Sequence, residues 1–231
     1  ASSHLPAHLD LLVRSAAIDP DNPELRAARA RGIPVMSYAE MLSNLTTDNC
    51  VLAVSGTHGK STTTAMASHV LTAAGLDPTV CFGACWPDGK PGGRNGAGMF
   101  SLVEACEYRR HFLQFRPKLA VLLGIEADHF DCYRDLEAVE SAFAEFVNRV
   151  PPGGLILANG DCRSTVNVTR HARARVVFFG LTPESHWYTR VVESWRGCYR
   201  MDVHCRARHF ASIALPVPGR HQVVNATAAT V

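Results

Sequence analysis

The segment Val51 to Gly75, VLAVSGTHGKSTTTAMASHVLTAAG, limits the fold more than any other part of the chain. An apolar run, Val51 to Ser55, leads straight into a turn holding two glycines and a lysine. Hydroxyl-bearing residues follow, then apolar residues at helical spacing, and Gly75 stands where a helix ends. A buried strand that turns through glycines into a helix opens a βαβ unit, and a βαβ unit requires a parallel sheet.

The rest of the chain repeats that rhythm. Val51–Ser55, Thr79–Phe82, Phe100–Glu104, Leu119–Leu123, Leu155–Ala158 and Val176–Phe179 read as strands. They are near-continuous apolar runs, as strands covered on both faces are. Lys60–Ala74, Tyr108–Leu113, Leu136–Val150 and Ser164–Ala172 read as the helices between them. The pattern predicts an α/β fold with a mostly parallel, doubly wound sheet. After Gly180 three close-set alternating segments, Trp187–Val192, Tyr199–His204 and Ala211–Leu215, read as a small antiparallel meander. Pro87 to Gly98 reads as a glycine-rich loop, mobile or facing substrate.

Residues 1–48 form a separate, partial Rossmann-like piece. Leu11–Arg14 and Ile33–Met36 are short strands. A helix with Asn22 as N-cap and Pro23 in its first turn runs to Arg31 and is closed by Gly32. A second helix covers Tyr38 to Leu45, and Thr46–Asn49 is the expected junction. The piece is too short to complete a sheet of its own. The chain also stops at Val231 inside a helical pattern, so both ends look cut.

Composition narrows the function. A net charge of +2 with no block of like charge indicates no nucleic-acid-binding face. No apolar run nears the ~18 residues of a membrane span, and no signal peptide opens the chain, so a cytoplasmic protein is expected. Eight cysteines are scattered without a Cys-x-x-Cys pair and read as small buried hydrophobes. Lysine is scarce: Lys60, Lys90 and Lys118 stand against twenty arginines, and one of the three sits in the glycine turn.

Four segments carry chemistry. In GTHGKS, residues 56–61, Val54 stands where a full Walker A motif has its first glycine, while Gly56, Gly59, Lys60 and Ser61 remain. Backbone amides at a helix start converge on one point that the helix dipole makes positive. Lys60 adds a point charge for β- and γ-phosphates, and the hydroxyl of Ser61 or Thr62 suits Mg²⁺. Glu104 ends an apolar strand, at the edge where such sheets bind ligands. It is a Mg²⁺ ligand candidate or a partner of Arg109 or Arg110. Asp128, His129 and Asp131 follow the next strand at the same edge, with His129 a candidate for metal or γ-phosphate. In PGRHQVVNATAA, residues 218–229, His221, Gln222 and Asn225 share a helix face that suits adenine, although helix capping explains the same residues.

Together GTHGKS, EACEYRRHF, IEADHFD and PGRHQVVNATAA occur in the order and spacing of the Mur ligases, and the chain resembles that family of ATP-dependent amide ligases of peptidoglycan synthesis. The histidine in GTHGKS and the PGRH turn favour the member that joins L-alanine to UDP-N-acetylmuramate. The resemblance implies ATP and Mg²⁺ as cofactors. It implies Gly56, Thr57, His58, Gly59, Lys60, Ser61 and Thr62 as the phosphate loop, Glu104 and His129 as metal-binding groups, and His221 and Asn225 as adenine contacts. It also implies that residues 1–48 close a UDP-substrate domain, that 49–231 are the central ATP-binding domain, and that the amino-acid-binding domain is absent. Such a piece is expected to be inactive in ligation alone. Gly124, Gln222 and the EACEYRR segment depart from the usual family pattern, which leaves the roles of Glu107, Arg109 and Arg110 open. No lysine follows Lys118, so the carbamylated lysine of several relatives has no counterpart. A sister ligase that recycles murein tripeptide or joins other amino acids, a non-catalytic nucleotide scaffold and a P-loop kinase or GTPase are the alternatives. Against the last, the chain has no guanine-reading Asn-Lys-x-Asp, and a late meander does not belong to such a module.

Overall fold

The structure, a computed structural model, describes residues 4–86, 88–128 and 131–231. The chain divides into two compact units, one to Asp48 and one from Asn49 to Val231. In the first unit β1 (Leu12–Arg14) lies parallel to β2 (Val35–Ser37), with Val13 opposite Met36. Between them runs α1 (Pro23–Ala30), and α2 (Tyr38–Leu45) follows. Local chemistry sets these bounds. The Asn22 side chain accepts from Glu24 N, and Pro23 fills the first helical position, where no donor is needed. Gly32, at φ 69°, ends the turn after α1. Ser37 and Glu40 form a reciprocal capping box on α2. Leu25, Ala28, Ile33 and Ala39 make the small core.

The second unit is built on one ten-stranded sheet. Its strands are β3 (Cys50–Ser55), β4 (Thr79–Cys85), β5 (Pro91–Arg94), β6 (Phe100–Glu104), β7 (Leu119–Leu122), β8 (Leu155–Asn159), β9 (Arg175–Gly180), β10 (Trp187–Trp195), β11 (Cys198–Cys205) and β12 (Arg208–Leu215). The order is β12-β11-β10-β9-β8-β7-β3-β6-β4-β5. The strands from β4 across to β10 are parallel, while β5 pairs antiparallel with β4 at one edge and β10, β11 and β12 pair antiparallel in succession at the other. The meander therefore extends the parallel sheet instead of standing apart from it.

Among the described residues four α-helices cover the two faces: α3 (Lys60–Ala73), α4 (Leu136–Val147), α5 (Arg163–Thr169) and α6 (Arg220–Thr230). On one face α3 and α6 close over Val54, Leu102, Val121, Leu123 and Phe179. The same α6 buries Val223 and Ala226 against Met201, Val203 and Leu215 of the meander. α4 contributes Val139, Phe143, Phe146 and Val147, all buried. Among the described residues no helix is long and apolar enough to cross a membrane. Among the described residues no cysteine forms a disulfide.

Topology then locates the site. The chain leaves β3 outward to β4, returns to β6 beside β3, and crosses to β7 on the other flank. The winding direction reverses at β3, and the carboxyl ends of β6, β3, β7 and β8 open on one crevice.

Two stretches depart from the sequence pattern. The glycine-rich loop contains β5, which pairs with β4 through Val80 opposite Arg94 and Cys81 opposite Gly93. A Cβ on Gly92 would meet Phe82 O at 2.6 Å, so this glycine marks a close strand approach. The expected helix after Glu107 is a 3₁₀ stretch, Tyr108–Gln114, in which Arg109 (φ 50°) and Arg110 (φ 60°) are left-handed. Tertiary packing imposes that bend: Phe112 is fully buried, stacked on Phe146 at 4.7 Å and edge-on to Phe143 at 5.1 Å between centroids.

Phe112→Ala empties the middle of that aromatic cluster and should cost about 3–5 kcal/mol in urea unfolding. Met99→Ala, at a position 67% exposed, should change stability by less than about 0.5 kcal/mol. Equal effects of the two substitutions would contradict the packing described.

Candidate functional site

The turn after β3 is held on both sides. Ser55 Oγ donates to Ala105 O at 2.8 Å, tying it to the segment after β6. Thr57 N donates to Gly124 O at 2.7 Å, and Glu126 N donates to Thr57 Oγ1 at 2.9 Å, tying it to the segment after β7. Two glycines make this approach possible. Gly56 has φ 141°, and a Cβ there would stand 3.0 Å from both Gly124 O and Leu123 Cβ. Gly59 has φ 82°, and a Cβ there would run into the Asn225 side-chain amide, 3.1 Å from its Cγ. Gly59 is also the N-cap of α3 and offers no side chain to cap it. The first amides of α3 therefore lack a side-chain partner at the cap. That is the geometry of an anion cradle, and it fits a polyphosphate.

Lys60 points along one flank of the turn. Its ammonium donates to Gly56 O at 2.7 Å, to Thr57 O at 3.0 Å and to Glu107 Oε1 at 3.1 Å, with Glu107 Oε2 at 2.9 Å. Beside it Ser61 Oγ donates to Glu104 Oε2 at 2.8 Å, and Gly83 N donates to the same oxygen at 2.9 Å. A hydroxyl and a carboxylate side by side next to an anion cradle are hard oxygen donors, the set that Mg²⁺ takes together with phosphate oxygens and water. Glu104 is not the partner of the following arginines. Arg110 pairs with Glu145, and the Arg109 guanidinium lies 5.5 Å over the Tyr108 ring.

On the other flank lies a cavity of about 510 Å³. Thr57, His58, Gly59 and Thr62 form one wall, Leu123, Gly124 and Glu126 another. Asn159 from the end of β8 and His221, Gln222, Val224 and Asn225 from α6 complete it. The volume suits a nucleoside-sized ligand. Asn225 is 5% exposed, and its Nδ2 donates to Gln222 Oε1 at 3.0 Å. The capping explanation for these α6 residues does not hold: Gly219 is the N-cap, and no side chain caps the helix. A second cavity, of about 460 Å³, lies on the meander and contains no group of the turn.

The structure thus gathers the sequence-selected residues into two groups around one loop. Lys60, Ser61 and Glu104 stand on one side; Thr57, His58, Gly59, Thr62, His221 and Asn225 line the other. Ser61, and not Thr62, meets Glu104. His129 lies outside the described residues. Asp131 Oδ2 accepts from the Tyr108 hydroxyl at 2.9 Å, and this bond raises the Tyr108 pKa. Among the described residues no three His, Cys, Asp or Glu side chains converge as a metal site. Sequence reasoning passed over Asn159, whose position at a strand end on the same sheet edge was the available signal. It also left Glu107 without a role, although only 2% of that residue is exposed.

Comparison with known proteins adds independent weight. A family model described as the Mur ligase middle domain matches residues 97–231, and one described as the Mur ligase family catalytic domain matches residues 1–49. The UDP-N-acetylmuramate–L-alanine ligase of Clostridium acetobutylicum is 37% identical over 223 residues, covering 96% of this chain and 49% of the relative. That of Caldicellulosiruptor saccharolyticus is 38% identical over 225 residues, covering 95% and 49%. The chain spans about half the length of the curated relatives it matches. Among solved structures, the UDP-N-acetylmuramate:L-alanyl-γ-D-glutamyl-meso-diaminopimelate ligase of Neisseria meningitides superposes with a TM-score of 0.84 at 28% identity, over 95% of this chain and 72% of that one. The UDP-N-acetylmuramate–alanine ligase of Thermotoga maritima superposes with a TM-score of 0.79 at 26% identity, over 95% and 50%.

Gly59→Ala should lower stability by about 1–3 kcal/mol, because it combines an unfavourable φ with an overlap on Asn225. Adding Asn225→Ala should relieve the overlap but not the backbone strain. Thermal unfolding of both variants checks this; a Gly59→Ala protein as stable as the parent would contradict the close approach.

Proposed function

This chain belongs to the Mur ligase family, and on that premise we propose that its second unit binds Mg²⁺-ATP for an amide ligation in peptidoglycan synthesis. The observation that carries the reading is the uncapped, glycine-lined start of α3 with Lys60 and Glu104 on one side and the 510 Å³ cavity on the other. The triphosphate would lie on the amides of residues 56–61. The cavity would take adenosine against His221 and Asn225. His129 enters the metal site through the family resemblance alone.

In the intact protein the reaction proposed is the joining of L-alanine to UDP-N-acetylmuramate. The muramyl carboxylate attacks the γ-phosphorus, ADP departs, and the amino group of alanine then displaces phosphate from the acyl phosphate. Charge gathers on the equatorial phosphoryl oxygens, so what the protein must supply is position and positive charge. Lys60 and the α3 amides are placed for that. Ser61 and Glu104, with His129, would hold Mg²⁺, which would neutralise phosphate charge. Residues 1–48 would be the end of a UDP-substrate domain and 49–231 the ATP-binding domain, in the cytoplasm. A second reading, a ligase that recycles murein tripeptide, draws support from the TM-score of 0.84 with the Neisseria enzyme. Phosphate release by the full-length protein, assayed with UDP-N-acetylmuramate and either L-alanine or the tripeptide, separates the two.

Lys60→Ala alone would take the ammonium away from the buried Glu107 carboxylate, so the binding test pairs Lys60→Met with Glu107→Gln. This double variant should bind a non-hydrolysable Mg²⁺-ATP analogue at least about tenfold more weakly in isothermal titration. Affinity equal to that of the parent would refute the phosphate-loop reading. Glu104→Ala should raise the magnesium concentration needed for half-maximal binding at least about tenfold, with little change in melting. An unchanged magnesium requirement would remove Glu104 from the site.

A further inference from the structure

Glu107 is the group to which phosphate binding assigns no task. An ammonium has three donors, and all three of Lys60 are engaged inside the protein: on Gly56 O, on Thr57 O and on the Glu107 carboxylate. A phosphate oxygen that takes Lys60 must replace one of these. The two carbonyls belong to the turn itself, so the carboxylate is the partner that competes with an incoming anion charge for charge.

The main chain that carries this carboxylate is held from behind. The Glu107 carbonyl accepts from the Tyr133 hydroxyl at 2.6 Å and from Arg110 N at 2.8 Å. Tyr133 is buried, and burial pushes its pKa up to about 12, so the hydroxyl keeps its donor proton through the neutral range. The next two residues, Arg109 and Arg110, are left-handed, a conformation costing on the order of 1–3 kcal/mol each where the side chain is not glycine. The buried Phe112, whose N donates to Cys106 O at 2.9 Å, keeps the bend in place. The glutamate, on an anchored main chain and with its side chain 2% exposed, is the more confined member of the pair. The lysine, on a four-carbon stem and 11% exposed, is the member with a way out to the crevice.

We propose that Glu107 is a fixed counter-ion that parks Lys60 in the absence of nucleotide and thereby sets the affinity of the loop for polyphosphate ligands. The inference rests on reading the loop as a phosphate site. With Lys60 parked about nine-tenths of the time, a ligand that needs it binds about tenfold more weakly than to a loop with the lysine released. Repulsion between the fixed carboxylate and an incoming phosphate acts in the same direction. A ligand without phosphates does not call on Lys60 and is indifferent to Glu107. A merely structural glutamate would act oppositely, since its loss would loosen the turn and weaken every ligand of the site.

The test is isothermal titration of the parent, Glu107→Gln and the Lys60→Met, Glu107→Gln double variant with a non-hydrolysable Mg²⁺-ATP analogue, with tripolyphosphate and with adenosine. Glu107→Gln should bind the analogue and tripolyphosphate about tenfold more tightly than the parent and adenosine equally well. The double variant should bind neither phosphate ligand more tightly than the parent. Equal or weaker binding of the analogue by Glu107→Gln, an equal gain for adenosine, or a gain that survives loss of Lys60 would overturn the proposal while leaving the phosphate site standing. A parent protein that binds neither phosphate ligand would remove the phosphate site and the proposal with it. Should Glu107→Gln not fold, Glu107→Met, of similar length and uncharged, takes its place with the same expected gain.

Discussion

Everything at the crevice follows from the absence of two Cβ atoms. Gly56 lets the turn after β3 lie against Gly124 and Leu123, and Gly59 lets α6 close on the start of α3 through Asn225. With side chains at these points the turn would be pushed off its neighbours, and the segments after β6 and β7 would lose the hydrogen bonds that register them on it. Gly59 also leaves the start of α3 without a side-chain cap. Close packing and the uncapped helix start thus share one steric cause.

Charge is arranged around that cradle with equal economy. Two carboxylates end or follow β6, and they do different things. Glu104 accepts from a hydroxyl and a backbone amide and remains at the rim, whereas Glu107 is buried and answers the ammonium of Lys60. A buried carboxylate needs a partner of opposite charge or it pays a large desolvation penalty. In the proposed reading one lysine would serve both as that partner and as the cation for a phosphate, which would tie the stability of the loop to its readiness to bind.

The sheet was legible in the sequence because parallel strands covered on both faces must be continuously apolar. The apolar runs of β7 and β8 stand out on that ground alone, and α1 on its Asn22 cap and Pro23. The turn between β3 and α3 was legible because glycines and a lysine between a strand and a helix admit few other folds. Long-range packing hid the rest. The glycines of β5 look like a loop until Phe82 O is seen beside Gly92. The bend at Arg109 and Arg110 runs against local preference and exists because Phe112 is anchored between Phe143 and Phe146. The choice of Ser61 over Thr62 beside Glu104, and the pairing of Glu107 with Lys60, depend on strands far apart in the chain. No local rule reaches them.

The most direct measurement is a crystal structure of this chain with a non-hydrolysable ATP analogue and Mg²⁺. The account predicts β- and γ-phosphate oxygens within hydrogen-bond distance of the amides of residues 56–61, with Lys60 Nζ drawn from Glu107 onto a phosphate and the base beside Asn225. A nucleotide bound elsewhere, or one seated at the turn with Lys60 still on Glu107 and no amide on its phosphates, would contradict it.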